Sequence, residues 1–89
     1  MLQLVVSTEF KKDLKRVHKR GKNLQKLEEI VKKLQQLLPL ETKYKDHVLK
    51  GNLKGKRDCH IEPDWILLYS ITKTHVHLYR TGSHSDILN

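Results

Sequence analysis

Several features that would place a chain in a large class are scarce here. There is one cysteine, Cys59, so no internal disulfide can form and no cysteine cluster can hold a metal. Cys59 alternates with polar neighbours and reads as a small core residue, consistent with a reducing cytoplasm. No apolar run approaches the roughly 20 residues that cross a bilayer. The opening Met1-Leu2-Gln3-Leu4-Val5-Val6 is too short for a secretory signal and lacks the basic flank before it. These absences predict a soluble, cytoplasmic protein with no membrane partner. Linkers, repeats and low-complexity segments are also missing, so the 89 residues are expected to form one domain, 1–89, able to fold without staples. Acidic residues are in the minority, with 10 Asp and Glu against 18 Lys and Arg, a formal charge of +8. Such an excess attracts phosphate backbones and speeds encounter with them. Solubility alone is the plain alternative. Binding to a membrane surface fits less well, because the charge is not paired with exposed Trp or Phe on a helix.

What is present follows a simple order. Leu2, Leu4 and Val6 alternate as in a strand. Ser7 or Thr8 caps a helix whose apolar stripe is Phe10, Leu14 and Val17, and Gly21 stops it. Asn23 caps a second helix, with Leu24, Leu27, Ile30, Val31, Leu34, Leu37 and Leu38 on one face, ended by Pro39. The short connection predicts an antiparallel helical hairpin. A polar connection leads to Gly51-Asn52-Leu53-Lys54-Gly55-Lys56, which reads as a short strand and turn. In the strand from Arg57 to Ile61, Cys59 and Ile61 share one face, and Asp58 and His60 take the other. Pro63 and Asp64 suit a tight turn. Trp65 to Tyr69 is apolar on both faces, as in a central strand. After a turn at Thr72 to Thr74, His75 to Arg80 forms the last strand. Gly82 breaks it, and a closing helical turn is expected over 83–88. The order β-α-α-β-β-β-β predicts an α+β fold, with an antiparallel sheet packed on one face by the N-terminal helical hairpin. The other sheet face is left for a site.

The densest chemistry lies between Arg57 and Trp65. Metal-independent cleavage of RNA needs a base for the 2′-OH, an acid for the departing 5′-oxygen, and positive charge or hydrogen-bond donors for the phosphate. Imidazoles titrate near pH 6.5, so a pair supplies both base and acid at cellular pH. His47, His60 and His84 are the candidates for proton transfer. Asp64 is a further acid–base or orienting carboxylate, stiffened by Pro63. Arg80 offers a bidentate fork for phosphate oxygens. Taken singly, each has a bland reading: His47 and His84 as surface residues, Asp64 as a good turn former, Arg80 as a structural partner of Asp58 or Asp86, and Trp65 as core. His75 and His77 share a strand face, as in some zinc sites, but no third ligand is evident. A hydrolase triad on Ser83 lacks a nucleophile elbow.

These residues resemble the YafQ-type branch of the RelE-like bacterial toxins. The motifs are Tyr44-Lys45-Asp46-His47, Leu49-Lys50-Gly51, the run from Arg57 to Tyr69, and Arg80-Thr81-Gly82-Ser83-His84, together about half the chain. The resemblance implies the RelE-like microbial ribonuclease fold. It also implies endonucleolytic cleavage of messenger RNA, usually in the ribosomal A site, without metal or other cofactor. His47, His60, Asp64 and His84 would be the acid–base set. Arg80 would bind phosphate, with Trp65 beside the site, and Lys50, Lys54 and Arg57 are expected to add RNA contacts. The implied partners are messenger RNA, the ribosome and a cognate antitoxin, with a toxin–antitoxin heterotetramer expected. A non-catalytic module binding RNA, ribosome or antitoxin on the same scaffold is the alternative. The family often carries a C-terminal aromatic that positions a base, and Leu88 stands there instead.

Overall fold

In the computed structural model, which describes residues 1–87, the elements are β1 (Gln3–Val6), α1 (Thr8–Lys19), α2 (Leu24–Gln35), β2 (His47–Val48), β3 (Arg57–Glu62), β4 (Trp65–Ile71), β5 (His75–Gly82) and α3 (His84–Ile87). Two 3₁₀ turns, Thr42–Tyr44 and Gly51–Leu53, flank β2. The sheet order is β1-β5-β4-β3-β2. Strands β2 to β5 pair antiparallel, as expected. The fifth strand departs from the expectation: β1 lies parallel to β5, with Gln3 opposite His75 and Val6 opposite Leu78. Both helices and three strands separate β1 from β5, so no tight turn forces them antiparallel. The short strand expected within 51–56 sits at 47–48 instead. Leu53 is the only apolar residue in the later segment, and Gly51 and Gly55 take φ of +67° and +88° there.

Ser7 closes the start of α1. Its Oγ accepts the Phe10 N–H at 2.9 Å and donates to the Tyr79 carbonyl at 2.7 Å. Asn23 caps α2 through the Gln25 N–H at 3.0 Å. The second helix ends at Gln35, short of Pro39. Leu37 turns left-handed at φ +58°, and Leu37 and Leu38 donate back to Leu34 and Lys33 at 3.1 and 2.9 Å. This is a Schellman ending in which leucine holds the place usually given to glycine. The apolar stripe therefore stops at Leu34, and Leu37 and Leu38 are exposed.

One core joins Phe10, Val17, Leu27, Ile30 and Leu34 of the helices to Cys59, Ile61, Trp65, Leu67, Tyr69, Val76 and Leu78 of the sheet. Burial pushes the Cys59 thiol up to about 12, so this thiol is inert. Alternation then assigns the far face of the sheet to His47, Asp58, His60, Ile66, Leu68, Ser70, His75 and His77. Beyond the end of β1, β5 has a bare edge, and α1 covers it with a side chain. The buried Asp13 carboxylate accepts the Thr81 N–H at 3.1 Å, Arg80 Nε at 2.6 Å and Arg16 Nη2 at 2.7 Å. An open strand edge is thereby closed by an ion pair. Among the described residues no helix is long and apolar enough to cross a membrane.

Candidate active site

Strand register gathers the far-face histidines. His47 stands opposite Asp58, His60 opposite Ile66, and Ile66 opposite Gly82, which leads through Ser83 into α3. The His60 and His84 rings meet edge to face with centroids 5.1 Å apart, and His47 lies 6.5 Å from His60. Gly82 permits the approach: its φ is +152°, and a Cβ there would fall 2.7 Å from Asp86 Oδ2. Asp86 fastens α3 by accepting the Ser83 N–H at 2.9 Å and Arg20 Nη1 at 2.7 Å. These bonds hold its carboxyl well below the usual carboxylate range. Asp64, presented by the Pro63 turn, accepts the His84 backbone N–H at 3.0 Å and faces His84 Nδ1 at 2.7 Å.

The electrostatics separate the roles. The bonds from the His84 side chain and backbone hold the Asp64 carboxyl below its ordinary value. Asp64 is thus a standing negative charge that orients the imidazole, favours Nδ1 as the donor and leaves Nε2 for chemistry. Burial pushes His60 below 6.5, while the Asp58 charge acts in the opposite sense. Burial thus favours the neutral form of His60, the form that can accept a proton. Beneath the rings, Asp58 is 2% exposed. Burial raises its pKa, against the pull of His47, His60 and His84. Its Oδ1 lies 2.9 Å from His47 Nε2, yet it makes no aligned hydrogen bond. His47 Nδ1 lies 2.7 Å from the Lys45 carbonyl. The contact between Asp58 and His47 is attractive only when a proton lies between the two.

Several expected site residues are placed differently. Arg80 does not present a free fork, because Nε and Nη2 grip Asp13 at 2.6 and 3.1 Å. Trp65 is 1% exposed and donates Nε1–H to Thr81 Oγ1 at 2.9 Å, so no base can stack on it. Arg57 shares the parity of Cys59 and points to the helix side, where it pairs with Asp46 at 3.1 Å. Tyr69 binds the same carboxylate. Lys50 and Lys54 are exposed on either side of the 3₁₀ turn at Gly51–Leu53. Glu62 ties β3 to the turn before α2 through Lys22 and to α2 through Lys26, both at 2.9 Å. Leu88 lies outside the described residues.

The sequence reading missed Asp58 as a site residue and Lys45, whose charge disfavours protonation of His60. The signal for Asp58 was its parity: it precedes His60 by two residues on one strand and so shares its face. Lys45 borders a cleft of about 630 Å³ beside His60, with Lys26, Lys43, Tyr44 and Pro63. Among the described residues no group of three or more His, Cys, Asp or Glu is placed to hold a metal.

Comparison with known proteins gives this fold and its clustered imidazoles a class, the small toxins of bacterial type II toxin–antitoxin systems. Within it the chain belongs to the YafQ family. The family model described as a bacterial toxin of type II toxin–antitoxin systems, YafQ, matches residues 2–89. The mRNA interferase toxin YafQ of Escherichia coli K12 is 45% identical over 82 residues, 91% of this chain and 89% of that protein. The crystal structure of YafQ from E. coli BL21(DE3) has a TM-score of 0.94 at 39% identity, covering 100% of both chains. The E. coli DinJ–YafQ toxin–antitoxin complex contains a chain with a TM-score of 0.91 at 40% identity, covering 99% of this chain and 98% of that one.

Proposed function

We propose that this toxin is a metal-independent endoribonuclease that cleaves messenger RNA on the ribosome, in the cytoplasm, and is restrained by a cognate antitoxin in a heterotetramer. The observation that carries the chemistry is the His60–His84 pair, with ring centroids 5.1 Å apart and each ring beside a different carboxylate. Neutral His60 accepts the 2′-OH proton. The freed 2′-oxygen attacks the adjacent phosphorus. His84, whose Nδ1 is held 2.7 Å from Asp64, delivers a proton to the departing 5′-oxygen. The products are a 2′,3′-cyclic phosphate and a 5′-hydroxyl. His47 and Asp58 hold the far side of His60. Lys45 and the charge of Arg80, anchored by Asp13, offset the phosphate charge. Each positioned proton-transfer group contributes about 10²–10⁴ in rate.

The test is primer extension on a translated messenger after brief induction, beside a His84→Ala control. Codon-phased cuts that vanish in the control are expected. Intact messenger and unchanged growth on induction would overturn the reading in favour of a non-catalytic module.

A further inference from the structure

The far face of β5 carries three rings that the acid–base cluster does not use. Val76 and Leu78 enter the core, so His75 and His77 turn outward. The β-bulge between Leu68 and Tyr69 of β4 leaves Tyr79 as the extra residue on β5, and the bulge re-aims Tyr79 to the same side. Its ring lies parallel to that of His77 within 18°, with centroids 6.0 Å apart, and His75 follows at 6.0 Å from His77. All three are half-buried. The ladder is held in place: Tyr79 Oη bonds Ser70 Oγ at 2.8 Å, and Thr74 Oγ1 bonds His75 Nδ1 at 2.6 Å. Lys56 Nζ stands 4.6 Å from the Tyr79 ring centroid.

We propose that His75, His77 and Tyr79, with Lys56, form a stacking subsite for single-stranded RNA flanking the scissile phosphate. The inference rests on the ribonuclease reading given above. The site and the ladder share one surface: register runs along the β4–β5 pair from Ile66 and Gly82, beside the imidazole pair, to Ser70 and His77. At about 3.3 Å per residue this is on the order of 13 Å, within reach of a few nucleotides. Rings on a strand with an adjacent lysine are the composition that single-stranded nucleic acid selects, since every base has a face to stack and a phosphate to neutralise. The side chains that flank the ladder, Gln3 and Val5 of β1 together with Lys56, Ser70 and Thr74, bring no negative charge to repel a phosphate.

The experiment measures binding of the full chain to two 2′-O-methyl RNA probes, which have no nucleophilic 2′-OH. The short probe spans only the scissile step, and the long one extends several nucleotides to each side. The His75→Ala/His77→Ala/Tyr79→Ala variant should lose about tenfold or more in affinity for the long probe. Its affinity for the short probe should be unchanged, and Tyr79→Phe should retain the parent affinity for both. If the triple variant melts early, His77→Gln and Tyr79→Leu are measured in its place. Equal affinity of variant and parent for the long probe overturns the proposal, and messenger cleavage by the parent in parallel shows that the ribonuclease reading survives. A parent chain that neither binds RNA nor cleaves messenger overturns both. Weakened capture of the antitoxin with unchanged RNA affinity also overturns it and assigns the ladder to the antitoxin.

Discussion

Asp13 and Asp58 are both carboxylates removed from water, at 1% and 2% exposure, but their surroundings differ. Asp13 closes the bare edge of β5, with both oxygens engaged by Arg80, Arg16 and the Thr81 N–H. Asp58 floors the histidine cluster with one oxygen short of an aligned partner and three imidazoles as its electrostatic neighbours. A buried charge with its lone pairs filled is a fastening. A buried charge left short of partners beside titratable rings is poised for proton traffic. The contrast separates stability from chemistry in two residues of one type.

The largest effect expected from this contrast is on Asp13. Asp13→Ala strands the Arg80 guanidinium and reopens the strand edge. Breaking a fully buried pair by removing one partner costs about 3–5 kcal/mol; Arg80 is 30% exposed and keeps some access to water, so the lower end of that range is an upper bound here. Since a domain has only about 5–15 kcal/mol in total, chemical denaturation should still find the variant clearly destabilised. A midpoint within error of the parent would show that Asp13 is not the fastening its bonds suggest.

Next comes Asp58→Asn, which should reverse the pattern. Cleavage should fall on the order of 10²-fold through misplacement of the imidazoles, with the fold intact. The linkage has a definite sign. A carboxyl whose folded pKa is raised, as burial raises Asp58, disfavours folding above that pKa and is relieved as pH falls through it. The variant should therefore be no less stable than the parent at neutral pH, and any gain should vanish in acid. Asp86 runs the other way: its depressed pKa gives stability that is present above the unfolded carboxylate range and lost as pH falls. A thermal midpoint for Asp58→Asn well below the parent at pH 7 would make Asp58 a second fastening.

A finer separation lies in the pH dependence of the rate. If His60 is the base, activity is lost as pH falls through its pKa, which burial sets below 6.5. The acidic limb should therefore lie below the usual imidazole value. Asp58 favours the protonated form of His60, so Asp58→Asn should move that limb further down. A limb that stays in place while the rate drops would mean that Asp58 acts on geometry alone.

What the sequence made legible follows from where periodicity carries information. The apolar stripes of α1 and α2 and the alternation at Asp58, Cys59, His60 and Ile61 assigned both sheet faces, because burial acts on one residue at a time at fixed spacing. His47, His60, Asp64 and His84 were named individually, and the structure brings His47 and Asp64 to either side of the His60–His84 pair. Pairing between distant segments was not legible. Nothing local tells β1 to lie parallel beside β5, or Arg80 to turn toward a carboxylate 67 residues away. Arg57, and Trp65 for which the core was the plain alternative, fall short as RNA contacts for a local reason. Their residue types suit RNA, but their parity turns them inward, and parity decides which partner a strand residue meets.

The smallest effect tests one of the two non-glycine residues, Leu37 and Lys45, that take a left-handed backbone among the described residues. Leu37 occupies the left-handed C-terminal position of α2 at φ +58° with its side chain 64% exposed, so it is strained without the burial that would justify it. A non-glycine residue there costs about 1–2 kcal/mol relative to a relaxed backbone. Glycine would relieve this but widen the unfolded ensemble, which takes back about 0.4–1 kcal/mol. Leu37→Gly should therefore raise stability by a net of about 0.5 kcal/mol, read as a small upward shift in Tm with cleavage unchanged. Leu37, Leu38 and Val48 lie along one shallow groove with Pro39 and Leu40, remote from the imidazole pair in the strand register. A loss of Tm in Leu37→Gly would mean that the leucine side chain stabilises the fold through that groove, and that the exposed end of α2 belongs with the Asp13 edge as fastening.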